Sequence, residues 1–337
     1  MTKTFEPELT RFDEPPPKTP ECPKCGSSRY AVKAGIRATK RKGNVQRFLC
    51  TKCNSIFTPT TVNRSSYPHK AIAYALIYYN KGHTYRETQE ALRRVQRTNV
   101  PVQTVQTWTR RYADLATFIP MRKRYDIDPR TTIQVKKLYH QQVYEFKYHQ
   151  LKLNIAAKAY PGLRDYLRQV AASETRNERM DRELASMFEA STTRCSSYKP
   201  PEHALPQVQV KRLRTNNATK MALLAITLAK NRAARHEAVE DFFIANDSTT
   251  VAVEIPVYLL PDEAPELNLT EPLTGHLDLL QFRNGKVFIL DYKPDQDPAS
   301  ASIQLQLYAR ALSKRTGIPM TAIAIAAFNE AGYAEFG

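Results

Sequence analysis

The sequence predicts a multidomain chain in which a small cysteine-knuckled module and an all-α segment precede a C-terminal α/β domain. Three observations carry this. Cys22-Pro-Lys-Cys25 and Cys50-Thr-Lys-Cys53 are two CxxC pairs separated by twenty-four residues. Residues 67–117 show three short helical periodicities. Asn284-Gly285, the strongest two-residue hairpin signal, sits between the apolar runs HLDLLQF and KVFILDYK, and a helical pattern follows them.

Length and composition agree with several folded units. A chain of 337 residues with 42% apolar content is expected to form two or more domains. No apolar run approaches the roughly 20 residues that span a bilayer. The N-terminus is polar and Pro-rich, with no secretory pattern, so the expected location is cytoplasmic, on the nucleoid when bound to DNA. The net charge of +17 points to a polyanionic partner. Its distribution is lopsided: residues 236–337 carry six Lys/Arg against fifteen Asp/Glu, the rest 44 against 18. A carboxylate-rich back half repels polyanions, so the basic front is expected to supply affinity through phosphate contacts.

Residues 1–19, with three consecutive prolines and little to bury, read as a disordered tail. In residues 20–62 four thiolates on two knuckles predict one structural Zn²⁺, held by Cys22, Cys25, Cys50 and Cys53. Two disulfides are the alternative, disfavoured in a chain without a secretory signal. Between the knuckles Arg29, Lys33, Arg37, Lys40, Arg41, Lys42 and Arg47 suit a phosphate-contacting hairpin. CPKCGSSRYAVKAGI with NVQRFLCTKCNSIFT resembles the zinc ribbons that open transposase-type proteins, a module that binds DNA.

In residues 66–118 the first helix places Ile72, Ala75, Leu76 and Tyr79 on one stripe and stops at Gly82. The second opens with a capping box, Thr84 with Glu87, and is expected to bury Ala91, Leu92 and Val95. The third buries Val105, Trp108 and Tyr112 and displays Gln103, Thr104, Gln106, Thr107, Arg110 and Arg111, residue types that bond base edges and phosphates. NKGHTYRETQEAL followed by VQTVQTWTRRY resembles the helix-turn-helix of transposases, with the third helix as reader. A three-helix protein-interaction bundle is the alternative.

Residues 119–206 read as a helical connector and linker. A long helix is expected from Asp128-Pro129 to about Ala159, with Tyr139, Val143, Phe146 and Leu153 on its stripe and His140 and His149 at the surface. A shorter helix from Leu163 to Ala172 precedes a polar linker, in which Cys195 is an incidental thiol.

Residues 207–337 then read as a long helix from Ala218 to about Phe243, strands at 249–260, 275–282 and 286–293, a helix carrying Gln304 and Tyr308, and a last strand near Met320 to Phe328. A two-residue turn makes Arg283 face Lys286. Counting back along the ladder sets Asp278 opposite Asp291, with Lys293 opposite His276 on the same face. Paired carboxylates repel, and a divalent cation reverses the sign: two carboxylates, waters and a phosphate oxygen suit Mg²⁺, with Lys293 beside the attacking water. A hairpin with its charges merely solvated is the alternative.

GHLD, then DYK thirteen residues after Asp278, then QLQLY from Gln304, resembles the PD-(D/E)XK nuclease superfamily, most closely its RecB-like and Cas4-like branch. The resemblance implies a restriction-endonuclease-like mixed sheet flanked by helices, with Mg²⁺ or Mn²⁺ as catalytic metal. It makes Asp278 and Asp291 metal ligands, Lys293 the group that positions water, and Gln304 and Tyr308 the following helical motif. An upstream helix contributes His236, followed by Glu240, and Glu254 fills a further acidic position. Cas4 proteins carry cluster-binding cysteines, but no cysteine follows Cys195, so no iron–sulfur cluster is expected. The expected function is metal-dependent DNA cleavage, targeted by the ribbon and helix-turn-helix, in a mobile element, in defence or in DNA repair. The alternative is a DNA-binding transcriptional regulator on an inactive nuclease fold, and charge alone does not separate DNA from RNA.

Overall fold

The computed structural model describes residues 20, 22, 24–25, 29–39, 43–58, 67–140, 142–172, 188 and 193–337. The expected tail at 1–19 lies outside them, as do Lys40, Arg41 and Lys42. The described residues fall into two compact units, divided between Pro68 and His69.

The first unit is a three-stranded antiparallel sheet of β1 (Ala31–Thr39), β2 (Gly43–Cys50) and β3 (Ser55–Phe57). Its buried core is Cys22, Ala31, Phe48, Cys50 and Phe57, too little apolar surface to hold a fold alone. The four cysteines are unbridged and bring their Sγ atoms within 4.8 Å of one another. Cys22 and Cys53 are 3.5 Å apart and Cys25 and Cys50 3.6 Å. A tetrahedron with Zn–S bonds of about 2.3 Å has edges of about 3.8 Å, so the quartet is compatible with a zinc ribbon.

The second unit opens with α1 (His69–Asn80), α2 (Tyr85–Gln96) and α3 (Val102–Arg111), each packed on the other two. The Thr84/Glu87 capping box forms as its spacing predicts: Glu87 N donates to Thr84 Oγ1 and Thr84 N to Glu87 Oε2. Ile72, Leu76, Leu92, Val105 and Trp108 are buried between the helices, whereas Val95, expected inside, is exposed. A short α4 (Phe118–Arg122) follows.

The connector departs from expectation. Instead of one long helix, residues 128–159 form an antiparallel hairpin, β4 (Ile133–His140) and β5 (Gln142–His149), in register from Ile133 opposite His149 to His140 opposite Gln142, and then α5 (Gln150–Ala156). Burial in β4 falls on Lys136, Leu138 and His140, the period of two of a strand. Tyr139 and Val143, assigned to the buried stripe, face solvent at 66% and 57% exposure. His140 and His149, assigned to the surface, are buried. The short run of aromatic and β-branched residues suits a pleated surface, and that preference prevails over the helical spacing.

This hairpin joins the main sheet, since Lys147 pairs with Val253 and Tyr148 with Ala252. After α6 (Pro161–Ala172) come β6 (Val210–Leu213), α7 (Asn217–Ala225), α8 (Arg235–Asn246), β7 (Thr250–Leu259), β8 (Leu273–Arg283), β9 (Lys286–Tyr292), α9 (Ser302–Thr316), β10 (Ile323–Phe328) and β11 (Tyr333–Phe336). The expected helix 218–243 is two helices: the intervening turn is held by Thr227 Oγ1 donating to Leu224 O and Asn231 Oδ1 accepting Ala234 N. The eight strands run β4-β5-β7-β8-β9-β10-β11-β6, a mixed sheet in which β9 and β10 are parallel and joined through α9. Leu305, Tyr308 and Leu312 of α9 share a core with Leu277, Val287, Ile289 and Ile325 of the sheet. The stretch after α6 is no free linker, because Thr193 and Cys195 exchange backbone hydrogen bonds with Thr274.

The helical segment is anchored on the α/β body. Asn80 Nδ2 donates to Asn246 Oδ1 at 2.8 Å in a buried position, and Thr117 Oγ1 donates to Asp247 Oδ1 at 3.2 Å while accepting Ser248 N. No helix among the described residues is long and apolar enough to cross a membrane. The strand assignment for 133–149 has a measurable consequence. Phe146→Ala should lower equilibrium stability by about 3–5 kcal/mol, and Val143→Ser by less than about 1 kcal/mol. Comparable losses at both positions in urea titrations would favour the helix.

Candidate active site

Asn284 and Gly285 both have left-handed φ, 52° and 73°, the type I′ turn that their sequence predicts. That turn fixes Arg283 opposite Lys286 and Leu279 opposite Leu290. One residue beyond, where Asp278 and Asp291 would pair, the ladder opens: Tyr292 N donates to Asp278 Oδ2 at 2.7 Å. The neighbouring register, Val253 with Leu279 and Ile255 with Leu277, sets Glu254 across from Asp278. Glu254 adopts φ 52°, a strained left-handed conformation for this residue type and one that clusters at functional sites.

Helix α8 crosses β5, β7 and β8 and brings in His236 and, one turn later, Glu240. His236 Nε2 is 2.9 Å from Tyr292 O and 3.8 Å from Asp278 Oδ2. A carbonyl accepts only from an N–H, so Nε2 carries the proton and Nδ1 keeps its lone pair. Helix α9 brings in Gln304 and Tyr308. Lys293 Nζ is 2.6 Å from Asp291 Oδ2 and donates to Gln304 Oε1 at 2.9 Å. Gln304 Nε2 donates to Tyr308 OH at 2.9 Å and reaches Asp291 Oδ1 at 3.5 Å. The Tyr308 ring lies where a Cβ at position 275 would be, so Gly275 makes room for it.

Sequence reasoning missed Asn329, which is buried behind the lysine. Its Nδ2 donates to Lys293 O at 3.1 Å and Gln296 O at 2.7 Å, and its Oδ1 accepts Ala331 N and Gly332 N. With Lys293 N donating to Phe328 O, these bonds fix the backbone that aims the ammonium. The Asn-x-x-Gly turn after an apolar strand is its only sequence signal.

Four acids thus share a poorly hydrated space. Burial and then the charge of Glu254 push Asp278 up to about 7. Burial and then Asp278 push Asp291 up to about 7. Burial followed by Glu254 drives Glu240 well above the usual carboxylate range, and burial raises Glu254. Burial lowers His236, which keeps the imidazole neutral. Hard oxygen donors that resist ionisation together, beside a neutral imidazole, fit a divalent cation such as Mg²⁺ or Mn²⁺. Among the described residues only the cysteine quartet already brings three or more ligand atoms within 4.8 Å of one another. In the acidic site Lys293 supplies the positive charge.

The structure brings His236, Asp278, Asp291, Lys293, Gln304 and Tyr308 into one connected network. The candidate DNA-contacting residues lie on α3: Gln103, Thr107, Arg110 and Arg111 are exposed, Thr104 and Gln106 half-buried. Lys33 and Arg37 of β1 are exposed.

The family model of the PD-(D/E)XK nuclease superfamily matches residues 147–330. No curated protein and no solved structure matches the chain.

The raised carboxylates give a signed pH dependence. An acid with a folded pKa near 7 against an unfolded value near 3.8 favours the folded state in its protonated form, so its contribution fades as pH rises through that interval. Without divalent metal the melting temperature should therefore fall between about pH 4 and 7. Added Mg²⁺ should raise it more at pH 8 than at pH 5, because cation and protons compete for the same oxygens. A Mg²⁺ shift independent of pH, or one retained by Asp278→Asn with Asp291→Asn, would show that these acids do not hold the ion.

Proposed function

The chain belongs to the PD-(D/E)XK nuclease superfamily, and from that premise we propose that it is a Mg²⁺- or Mn²⁺-dependent deoxyribonuclease of the RecB-like, Cas4-like branch. The observation that carries this reading is the convergence of α8, β8, β9 and α9 on one network of His236, Asp278, Asp291, Lys293, Gln304 and Tyr308. An inactive fold would be free to lose any of these contacts, so the regulator alternative has no such support.

Asp278 and Asp291, with His236, would hold the metal. Once bound it stabilises charge on the phosphate oxygens and acidifies a water. Hydrolysis joins a water oxygen to phosphorus and breaks one P–O ester bond, with a proton leaving the water and another reaching the departing oxygen. Lys293 orients that water and adds positive charge. Gln304 fixes the ammonium by accepting from it, and Tyr308 steadies Gln304. Burial and then Glu254 raise Glu240 well above the usual carboxylate range, which favours its neutral form and so limits the repulsion facing an incoming phosphate.

Targeting is assigned to the front of the chain. Cys22, Cys25, Cys50 and Cys53 would bind one structural Zn²⁺, and α3 would enter the major groove as the reader of a helix-turn-helix, with Gln103, Thr104, Gln106, Thr107, Arg110 and Arg111 facing DNA. A nuclease with its own DNA-reading modules suits a mobile element, a defence system or DNA repair.

Incubating purified protein with linear, circular and single-stranded DNA and with RNA, with and without Mg²⁺ or Mn²⁺, tests the activity. Asp278→Ala and Asp291→Ala should abolish cleavage while DNA binding stays intact or tightens; full cleavage by Asp291→Ala would sink the reading. Asn329→Ala should lower turnover by about 10- to 100-fold through a misplaced Lys293, and unchanged turnover would remove Asn329 from the account. Reversing Arg110 and Arg111 to Glu should weaken duplex binding and flatten its salt dependence. Metal analysis should find about one zinc per chain, and none in a protein that still folds residues 29–58 would refute the ribbon.

A further inference from the structure

Arg194 lies in a stretch that the sequence presents as polar spacer, yet its backbone is built into the sheet. Thr274 N donates to Thr193 O at 3.1 Å and Cys195 N to Thr274 O at 2.8 Å, which pairs Arg194 with Thr274 in a single parallel bridge. At this level of β8 the β9 strand has already ended, and residues 193–195 take the backbone bonds it leaves. The side chain is held as firmly. Nη2 donates to Tyr144 OH at 2.7 Å and Nη1 to Thr274 Oγ1 at 3.4 Å. Tyr144 in turn stacks on His276, ring centres 3.7 Å apart, two residues before Asp278.

Both partners are neutral hydroxyls. Among the described residues no carboxylate lies within ion-pair distance of Arg194, although it is half-buried beside an acid-rich site. Withdrawing a cation from water without a counter-charge is costly, and guanidinium offers five N–H donors in a fork that matches phosphate. The two bonds aim the fork and, among the described residues, give the charge no ion-pair partner. Thr274 precedes Asp278 by four residues on the same strand, about 13 Å along it. Arg194 also acts electrostatically toward that site, as one of the charges that counter the raised pKa of Glu254.

We propose that Arg194, aimed by Tyr144 and Thr274, binds a backbone phosphate of the substrate strand next to the scissile phosphate and so positions that strand over Asp278 and Asp291. The inference rests on the nuclease reading. It makes Arg194 a positioning residue, since nothing places it at the reacting atoms.

The experiment compares the full-length protein with Arg194→Gln, Arg194→Lys and Tyr144→Phe in steady-state cleavage and in salt-dependent binding. The substrates are oligonucleotides in which one phosphate at a time is replaced by an uncharged methylphosphonate. Arg194→Gln should raise KM by about 10-fold or more, the range for a charge-assisted hydrogen bond, with kcat changed far less. The slope of log binding constant against log salt should fall by about 0.7–0.9, one phosphate contact. One methylphosphonate position should weaken the parent and leave Arg194→Gln unaffected, and Arg194→Lys should recover part of the loss.

An unchanged KM and salt slope in Arg194→Gln, with an identical methylphosphonate profile, would overturn the proposal and leave the nuclease reading standing. Absence of cleavage by the parent protein would instead defeat the nuclease reading, and the binding profile would still judge Arg194. If Arg194→Gln melts early, Tyr144→Phe, which removes only the orienting hydroxyl, decides: the same methylphosphonate position must lose its effect in part, and a profile identical to the parent's overturns the assignment.

Discussion

The site depends on one hydrogen bond that a regular sheet would have made differently. Tyr292 N gives its proton to the carboxylate of Asp278, at the point where β8 and β9 stop pairing. The type I′ turn fixes the register up to that point, and so sets which residues lie where the strands part. Parting creates the space, and the same bond holds Asp278 inside it. His236 then closes one side by donating to the carbonyl of the same Tyr292. One residue's backbone thus positions both an acid and an imidazole, and the side chains need little freedom of their own.

The acids in that space cannot all ionise while water is excluded and no cation is present. Burial outweighs every other influence on Asp278 and Asp291; Lys293 opposes it most, joined by the Tyr292 N–H at Asp278 and by His236 at Asp291. Repulsion stored this way is relieved by a bound cation, which links metal affinity to proton affinity. Lys293 has two roles in such a site. It neutralises Asp291 and, held by Gln304, stays where a water would need orienting. Asn329 fixes its backbone from the opposite side. The lysine is therefore constrained at both ends, as a group that acts through position rather than through reach requires.

How much of this was legible in the sequence varied with the range of the interactions involved. The hairpin register and the Thr84/Glu87 cap were readable because each depends on residues within a few positions of one another. Gln304 and Tyr308 were readable only by resemblance, since nothing local says that α9 packs against the end of β9. Residues 133–149 were misread because Tyr139, Val143 and Phe146 satisfy a helical spacing and a strand alternation at once. The choice fell to pairing with Val253, more than a hundred residues away. Arg194 carries no motif, and Asn329 only the Asn-x-x-Gly turn that follows an apolar strand. Their roles arise from backbone partners, Thr274 and Lys293, that only the folded sheet brings near.

Charge placement explains why the acidic module would need help to hold a polyanion. Many of its arginines are already committed to its own carboxylates: Arg212 clasps Asp297 through two bonds, Arg235 pairs with Asp295, Arg310 with Glu266 and Arg315 with Glu263. Each pair cancels a charge that could otherwise meet a phosphate, and residues 236–337 still carry fifteen acids against six bases. A cation contributes to phosphate binding only to the extent that nothing on the protein answers it first. By that criterion Arg194, which among the described residues is bound to two hydroxyls and no acid, differs from these arginines. Affinity would then come from the basic front of the chain, and Arg194 would add alignment of the strand at the acids that would cut it.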